Sequence, residues 1–600
     1  MISILTRRIT LVALALIVAL VAAPVPADNL QVGEGYTFSY VVPPKPGTPA
    51  MDIKPIPRPP GPPPWARNMT ADKAPFSGSS TTATTSSTGY QTTGEMSGVL
   101  LAVDFDDNEA VTLLAHYDDM LFDPEGYPDD ITKSMRRYYH EVSYYDPTAL
   151  AGLDVEGEVY GKARSDPTDW VDWIRAPKSY KYYTSGNYGF GRYPRNAQKL
   201  TEDAVAAADP YVDFSAFTTY EGSEAGVSGT FVSALFVVHA GPGAEVTGSR
   251  DDIWSHSWVT SEPIATDDKT ADGETVYVYR YIMMAEDSPM GTFGHEFGHT
   301  LGLPDLYDYD GSSAGVGMWS MMSYGTWADD GHTPVHMDAW CKIRAEWVSP
   351  TVITDTATVD IPQAEDNATS YQLWTNSSGT IPEYFLVENR QKVLFDAYLP
   401  GDGLLIWHID DNVDNNNDEA HYHVALEQAD GNLDLENWNN AGDNGDPFPG
   451  STGNHTFDDN STPNSKTYDG SASGVAVTKI SDSSSTMTAT MTGYSQPTGE
   501  IGKVLTVDIW TDKDTYTLGE IVYITVKVTD EGGDPVENAT VHITIHTPLP
   551  ISYGWDQATS AEGTTVFEFK PKWRGDYSTK ADATYDGSSG SSVWIPFMVE

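Results

Sequence analysis

The chain has 600 residues, with 34 Lys and Arg against 86 Asp and Glu and a formal net charge of -52. That length exceeds a single hydrophobic core and predicts about two to four domains. The charge argues against nucleic acid or an anionic membrane surface as a partner, because like charges repel. It suits either a saline exterior, where screening tolerates the repulsion, or carboxylates committed to calcium.

Arg7 and Arg8 precede an uncharged apolar run from Ile9 to Val21, closed by Val25-Pro26-Ala27. The run falls short of the about 20 apolar residues that a membrane span needs. Residues 1–27 therefore read as an export signal peptide, which predicts a secreted, extracellular protein with no membrane anchor in its mature form. Residues 28–95 lack the makings of a core. Pro43 to Pro64 is dominated by Pro, Gly and basic residues, which favours extended polyproline structure, and Ser77 to Thr93 is a Ser/Thr/Gly linker. This segment is either a spacer or a propeptide removed on activation; strand character from Leu30 to Val42 keeps the second reading open.

Residues 96–350 carry alternating strand and helix signals. Gly98 to Phe105 reads as a buried strand, helices are expected near Asp130 to Tyr144 and Asn196 to Ala208, and Ala234 to His239 is another apolar strand. Ser288-Pro289 supplies an N-cap and a first-turn Pro for the helix that follows. That helix contains His295-Glu296-Phe297-Gly298-His299, continued to Gly302 and Asp305 as HExxHxxGxxD. Positions i and i+4 share a helix face, so His295 and His299 can present their imidazoles to one metal ion, Zn2+ by the chemistry of this spacing. Glu296 stands beside the first of them, where a carboxylate can assist the attack of zinc-bound water. Gly302 allows a left-handed helix end, Pro304 prevents resumption, and the reversed chain can bring Asp305 back as third ligand, with Asp308 as the substitute. Two histidines on a helix can be accidental, but the added Gly and Asp make that a rare coincidence. Cys341 is the single cysteine, so no internal disulfide can form, and its apolar helix suggests a buried filler rather than a nucleophile.

From 351 to 495 the helical period gives way to short strands between Asn, Asp and Gly loops, which predicts a β-sandwich. Asp414, Asn416 and Asp418 alternate as the oxygens of a Ca2+ loop would, although the turn Gly and distal Glu of an EF-hand are missing; the competing account is a solvated turn. His421 and His423 read as structural. In 496–600, Val522 to Val528 and Val541 to Ile545 alternate with polar residues, and Gly532-Gly533-Asp534 supplies turn chemistry. Thr515 to Glu520 resembles the start of immunoglobulin-like modules of bacteria and archaea. The fold class expected is thus multidomain α+β: a zincin-type α/β catalytic domain, a β-sandwich, and a C-terminal immunoglobulin-like β-sandwich.

The HExxHxxGxxD helix is followed by Ser320-Met321-Met322-Ser323-Tyr324, which resembles the Met-turn of the metzincin clan. Ser134 to Tyr144, His239 to Gly243, Ile253 to His256, Glu383 to Arg390 and Pro400 to Asp410 complete a resemblance to secreted zinc metallopeptidases of the immune inhibitor A type, over about residues 96 to 490. The resemblance implies Met322 beneath the metal, Tyr324 beside it as a donor to the oxyanion, and an endopeptidase acting on proteins or peptides. The competing hypothesis is a cell-surface adhesion or carbohydrate-binding protein, contacting glycans through its C-terminal domains, with a degenerate catalytic domain.

Overall fold

The computed structural model describes residues 40–59, 91–124, 134–149, 151–161, 173–375, 383–494, 505–513, 515–530, 534–547, 552–585, 588–592 and 595–600. The expected export signal, the linker up to residue 90 and the Gly532-Gly533 turn lie outside them.

The strand expected around Gly98 to Phe105 is Gly94–Asp104. It runs parallel to Leu153–Tyr160 on one side and to Leu235–His239 on the other. Parallel strands are covered on both faces and need nearly continuous apolar sequence, which Val99 to Val103 and Leu235 to Val238 supply. Thr275–Ala285 extends the sheet in parallel, and His256–Lys269 pairs with it antiparallel to form a long rim. Tyr40–Val41 is added outside that rim, antiparallel, with Tyr40 opposite Ser257 and Val41 opposite His256.

Helices pack on this sheet. Ser134 accepts from the Arg137 amide and Asn196 from the Lys199 amide, so each caps a helix start where a backbone N–H lacks a partner. The first of these helices, Met135–Val142, is fastened to the HExxH region by two fully buried tyrosines: Tyr138 donates to the Val335 carbonyl and Tyr139 to the Gly294 carbonyl.

Residues 351–494 form two further sheets, one of five strands and one of four. In the five-stranded sheet, Phe385, Val387, Leu404 and Ile406 face the four-stranded sheet, with which they form one apolar core. The alternate residues Tyr384, Leu386, Leu405 and Trp407 belong instead to the core of the HExxH region. Period-2 alternation therefore sends both faces of this sheet into apolar surroundings, and the boundary expected near residue 350 is not a boundary in packing. The C-terminal residues form two sheets around a core of their own, with Val522, Ile524, Val526, Val528, Val541, Ile543 and Ile545 turned inward. Among the described residues, no helix is long and apolar enough to cross a membrane.

Candidate active site

The HExxH helix is Met290–Thr300, and its residues from Met290 to His299 are all buried. Its start differs by one residue from the expectation. Pro289 is the N-cap, and Ser288 spends its hydroxyl on the Ala285 amide, closing the turn before the helix instead of capping it. Its end follows the expected chemistry. Gly302 has φ +81°, the Leu303 amide donates to the Gly298 carbonyl and the Gly302 amide to the His299 carbonyl. These paired bonds are a Schellman termination, which a left-handed Gly permits.

That reversal carries Asp305 back over the helix. Its Oδ1 lies 2.9 Å from His295 Nε2 and 3.3 Å from His299 Nε2. His295, Glu296 and His299 also place three ligand-type atoms within 4.8 Å of one another. The other nitrogen of each imidazole is committed: His295 Nδ1 donates to the Met321 carbonyl at 2.8 Å and His299 Nδ1 to the Leu303 carbonyl at 2.7 Å. Carbonyls only accept, so each Nδ1 carries a proton, and each Nε2 faces Asp305, where it can give its lone pair to a metal when the ring is neutral. His295 Nε2, His299 Nε2, both Asp305 oxygens and both Glu296 oxygens are buried without a hydrogen-bond partner. Six such atoms in one place would be expensive to bury, and a divalent cation bound by two imidazoles and a carboxylate is the group they fit.

The electrostatics follow from burial and mutual repulsion. Burial raises Glu296 well above the ordinary carboxylate range, and Asp305 and Glu245 push in the same direction. Burial would also raise Asp305, but His299 and His295 hold it down at about 2. Burial lowers His299, against the pull of Asp305. A positive charge among these groups would reverse the balance at Glu296.

The Met-turn candidates lie directly against the helix. Its Gly residues make the approach possible: a Cβ on Gly298 would stand 2.6 Å from Met322 Sδ, and one on Gly294 would collide with the Met321 side chain. Tyr324 is buried, its ring packed on Tyr307 and Trp438, and burial raises its hydroxyl above the usual tyrosine range. Asp308, the substitute ligand, is occupied elsewhere. It accepts from the Asp310 and Ser313 amides and the Ser312 hydroxyl.

Of the Asp414, Asn416 and Asp418 trio, two side chains are engaged in the fold. Asn416 is buried and its amide clamps backbone, donating to the Leu306 and Val424 carbonyls and accepting from the Val424 amide. Asp418 accepts from the Ala420 amide. The alternating pattern thus builds a turn that holds residue 306, one position past Asp305. His421 and His423 sit against Asp410 and Asp411, and Cys341 is a buried free thiol.

Sequence reasoning missed what lies over the centre. The Tyr40 ring stacks on His299 with centroids 3.9 Å apart. From there residues 40–59 are tied down at successive points. Tyr307 Oη donates to the Val41 carbonyl at 2.6 Å, Trp254 Nε1 to the Val42 carbonyl and Trp327 Nε1 to the Pro43 carbonyl at 2.8 Å. The Ile56 amide donates to the Tyr309 carbonyl. With this strap in place, Glu296 is fully buried and His299 is 3% exposed.

Residues 109–348 match the profile of the immune inhibitor A peptidase M6 catalytic domain. This region is therefore similar to an immune inhibitor A peptidase catalytic domain. It is 32% identical over 232 residues to immune inhibitor A of Bacillus thuringiensis subsp. alesti, covering 36% of this chain and 32% of that protein. To the pre-pro-metalloprotease PrtV of Vibrio cholerae serotype O1 it is 29% identical over 264 residues, covering 39% of this chain and 27% of that one. The chain therefore spans less than a third of the length of either of these two relatives. Among solved structures, the CARDB domain of a Pyrococcus furiosus protein is 19% identical over 16% of this chain and 89% of its own, with a TM-score of 0.13. A likeness that small carries no argument. A metallopeptidase family implies a metal, and in this domain the unpartnered atoms around Asp305 are where it fits.

Proposed function

We propose that the chain is a secreted zinc endopeptidase of extracellular proteins, made in a latent form in which residues 40–59 cover the catalytic centre. In this reading, residues 96–350 are a zincin-type catalytic domain, 351–495 a β-sandwich that buttresses it, and 496–600 an immunoglobulin-like module. The observation that carries the reading is the convergence of buried, unpartnered His295, His299, Asp305 and Glu296 atoms at the end of one helix. Bound by His295, His299 and Asp305, zinc would supply a Lewis acid that polarises the scissile carbonyl and lowers the pKa of water.

The chain's own residues do the rest. Glu296 takes the proton of the attacking water and delivers it to the leaving amine. The Met321 and Leu303 carbonyls hold both imidazoles in the ligating tautomer. The rim strand His256–Lys269 offers backbone pairing to an extended peptide, and Tyr40–Val41 occupies that edge as a substrate would. Tyr307, which donates to the Val41 carbonyl, would meet a substrate carbonyl at the same place; Tyr324 is the other candidate donor, from its resemblance to the Met-turn tyrosine.

Substituting Glu296→Ala tests this. Measured on protein cleaved between residues 60 and 90, casein hydrolysis should fall by about 10²-fold to 10⁴-fold while the zinc content is unchanged. Retained hydrolysis would sink the assignment.

A further inference from the structure

The loop after the five-stranded sheet gathers three carboxylates. Asp430, Asp443 and Asp446 each bring an oxygen within 4.8 Å of the others. Asp446 is fully buried, and its Oδ1 has no hydrogen-bond partner. Its Oδ2 accepts from Trp319 Nε1 at 2.9 Å and from the Asp443 amide at 3.0 Å. Between the other two carboxylates sits Gly445, where a Cβ would stand 2.9 Å from Asp443 Oδ1 and would collide with Asp430 Oδ2. The missing side chain at 445 thus leaves room for the three carboxylates to close in. Three negative charges in this arrangement repel one another, and a buried unpaired carboxylate oxygen is costly.

We propose that Asp430, Asp443 and Asp446 form a calcium site that fastens the 430–446 loop to the segment leading into the Met-turn. Hard carboxylate oxygens from an irregular loop suit Ca2+ better than Mg2+, which demands near-octahedral geometry, or zinc, which favours nitrogen and sulfur. Contacts around the loop give the site a consequence. The Met318 amide donates to the Ala441 carbonyl and the Ala314 amide to the Leu435 carbonyl. Trp319 directly precedes Ser320-Met321-Met322, whose Met321 carbonyl orients His295. Trp438, within the loop, packs on Tyr324. An ion here would hold the wall behind the catalytic centre in one arrangement.

The bond from Trp319 to Asp446 also provides the assay. Terbium substitutes for calcium and emits when a neighbouring excited indole transfers energy to it. The full-length protein, equilibrated in metal-depleted buffer, is titrated with Tb3+ under indole excitation and then with Ca2+, and bound calcium is counted by equilibrium dialysis. Sensitised emission should saturate and be displaced by Ca2+. Asp443→Asn and Asp446→Asn should each weaken binding by roughly tenfold or more and lower the calcium count by one ion per chain. The Asp446→Asn substitution keeps an oxygen for Trp319, and Asp443 is only half-buried, so at least one variant should fold; a circular dichroism spectrum matching the wild type checks this. Trp319→Phe should lose sensitised emission while keeping the calcium. An unchanged calcium count in both Asp→Asn variants, unchanged emission in Trp319→Phe, or Mg2+ binding as tight as Ca2+ would each overturn the proposal. The count does not depend on peptidase activity, so it can fail while the catalytic reading stands.

Discussion

Loosening the strap should switch the catalytic centre on, and Val41→Asp is the most direct way to do it. Val41 is fully buried in the short strand that pairs with the rim. Removing its apolar side chain from water is worth about 2 kcal/mol. Leaving a polar group unsatisfied in its place costs about another 2 kcal/mol. The combined effect, about 4 kcal/mol, corresponds to about a thousandfold shift in strap occupancy. Tyr40→Ala removes the stacking on His299, worth about 1 kcal/mol, and should release a few-fold. The assay is hydrolysis of a fluorogenic peptide by the intact chain and by a chain nicked at a protease site placed between residues 60 and 90. Wild type should be silent until nicked, and Val41→Asp should approach the nicked rate without cleavage. If the intact wild type already matches the nicked form, or if a well-folded Val41→Asp chain is as silent as wild type, residues 40–59 do not control access.

Two further perturbations test separate parts of the account. Asp305→Ala should lose zinc on gel filtration, whereas Asp308→Ala should retain it, because the Asp308 carboxylate is spent on Ser312, Ser313 and Asp310; zinc lost only from Asp308→Ala would reverse the ligand assignment. His408 supplies a pH signature. Burial lowers it, but bonds to Glu383 and Glu427 outweigh burial and raise it above the ordinary value. A raised folded value means that the pairing stabilises fully below the unfolded pKa, about 6.5, and is lost as pH rises through the folded value. The gap in melting temperature between wild type and His408→Gln should therefore narrow as pH rises; a gap that is flat or widens would refute the pairing.

Much of the centre was legible because helix geometry is a short-range rule. His295, Glu296, His299, Gly302 and Pro304 lie within ten residues, and their spacing alone dictates a shared face and a reversal. What could not be read came from backbone acceptors and from long-range pairing. The acceptors that orient the imidazoles are carbonyls of Met321 and Leu303, and a carbonyl has no side-chain signature. The strap pairs residue 40 with residue 257, and its Pro-rich continuation has no period to reveal a docked surface. The second sheet was visible as strands, but not that both of its faces are buried, since Leu404 to Trp407 is apolar throughout and fits a one-sided or a two-sided core equally. Asp414, Asn416 and Asp418 stayed ambiguous because alternating Asp and Asn residues also build turns, as Asn416 does here.

The central claim is that His295, His299 and Asp305 hold the zinc on which peptide hydrolysis depends. Its most direct test is titration of metal-depleted, strap-cleaved protein with zinc while casein hydrolysis is followed. Hydrolysis should be absent at the start, rise in proportion to added zinc and level off at one equivalent per chain. Full activity without metal, or stoichiometric zinc binding with no hydrolysis, would contradict it.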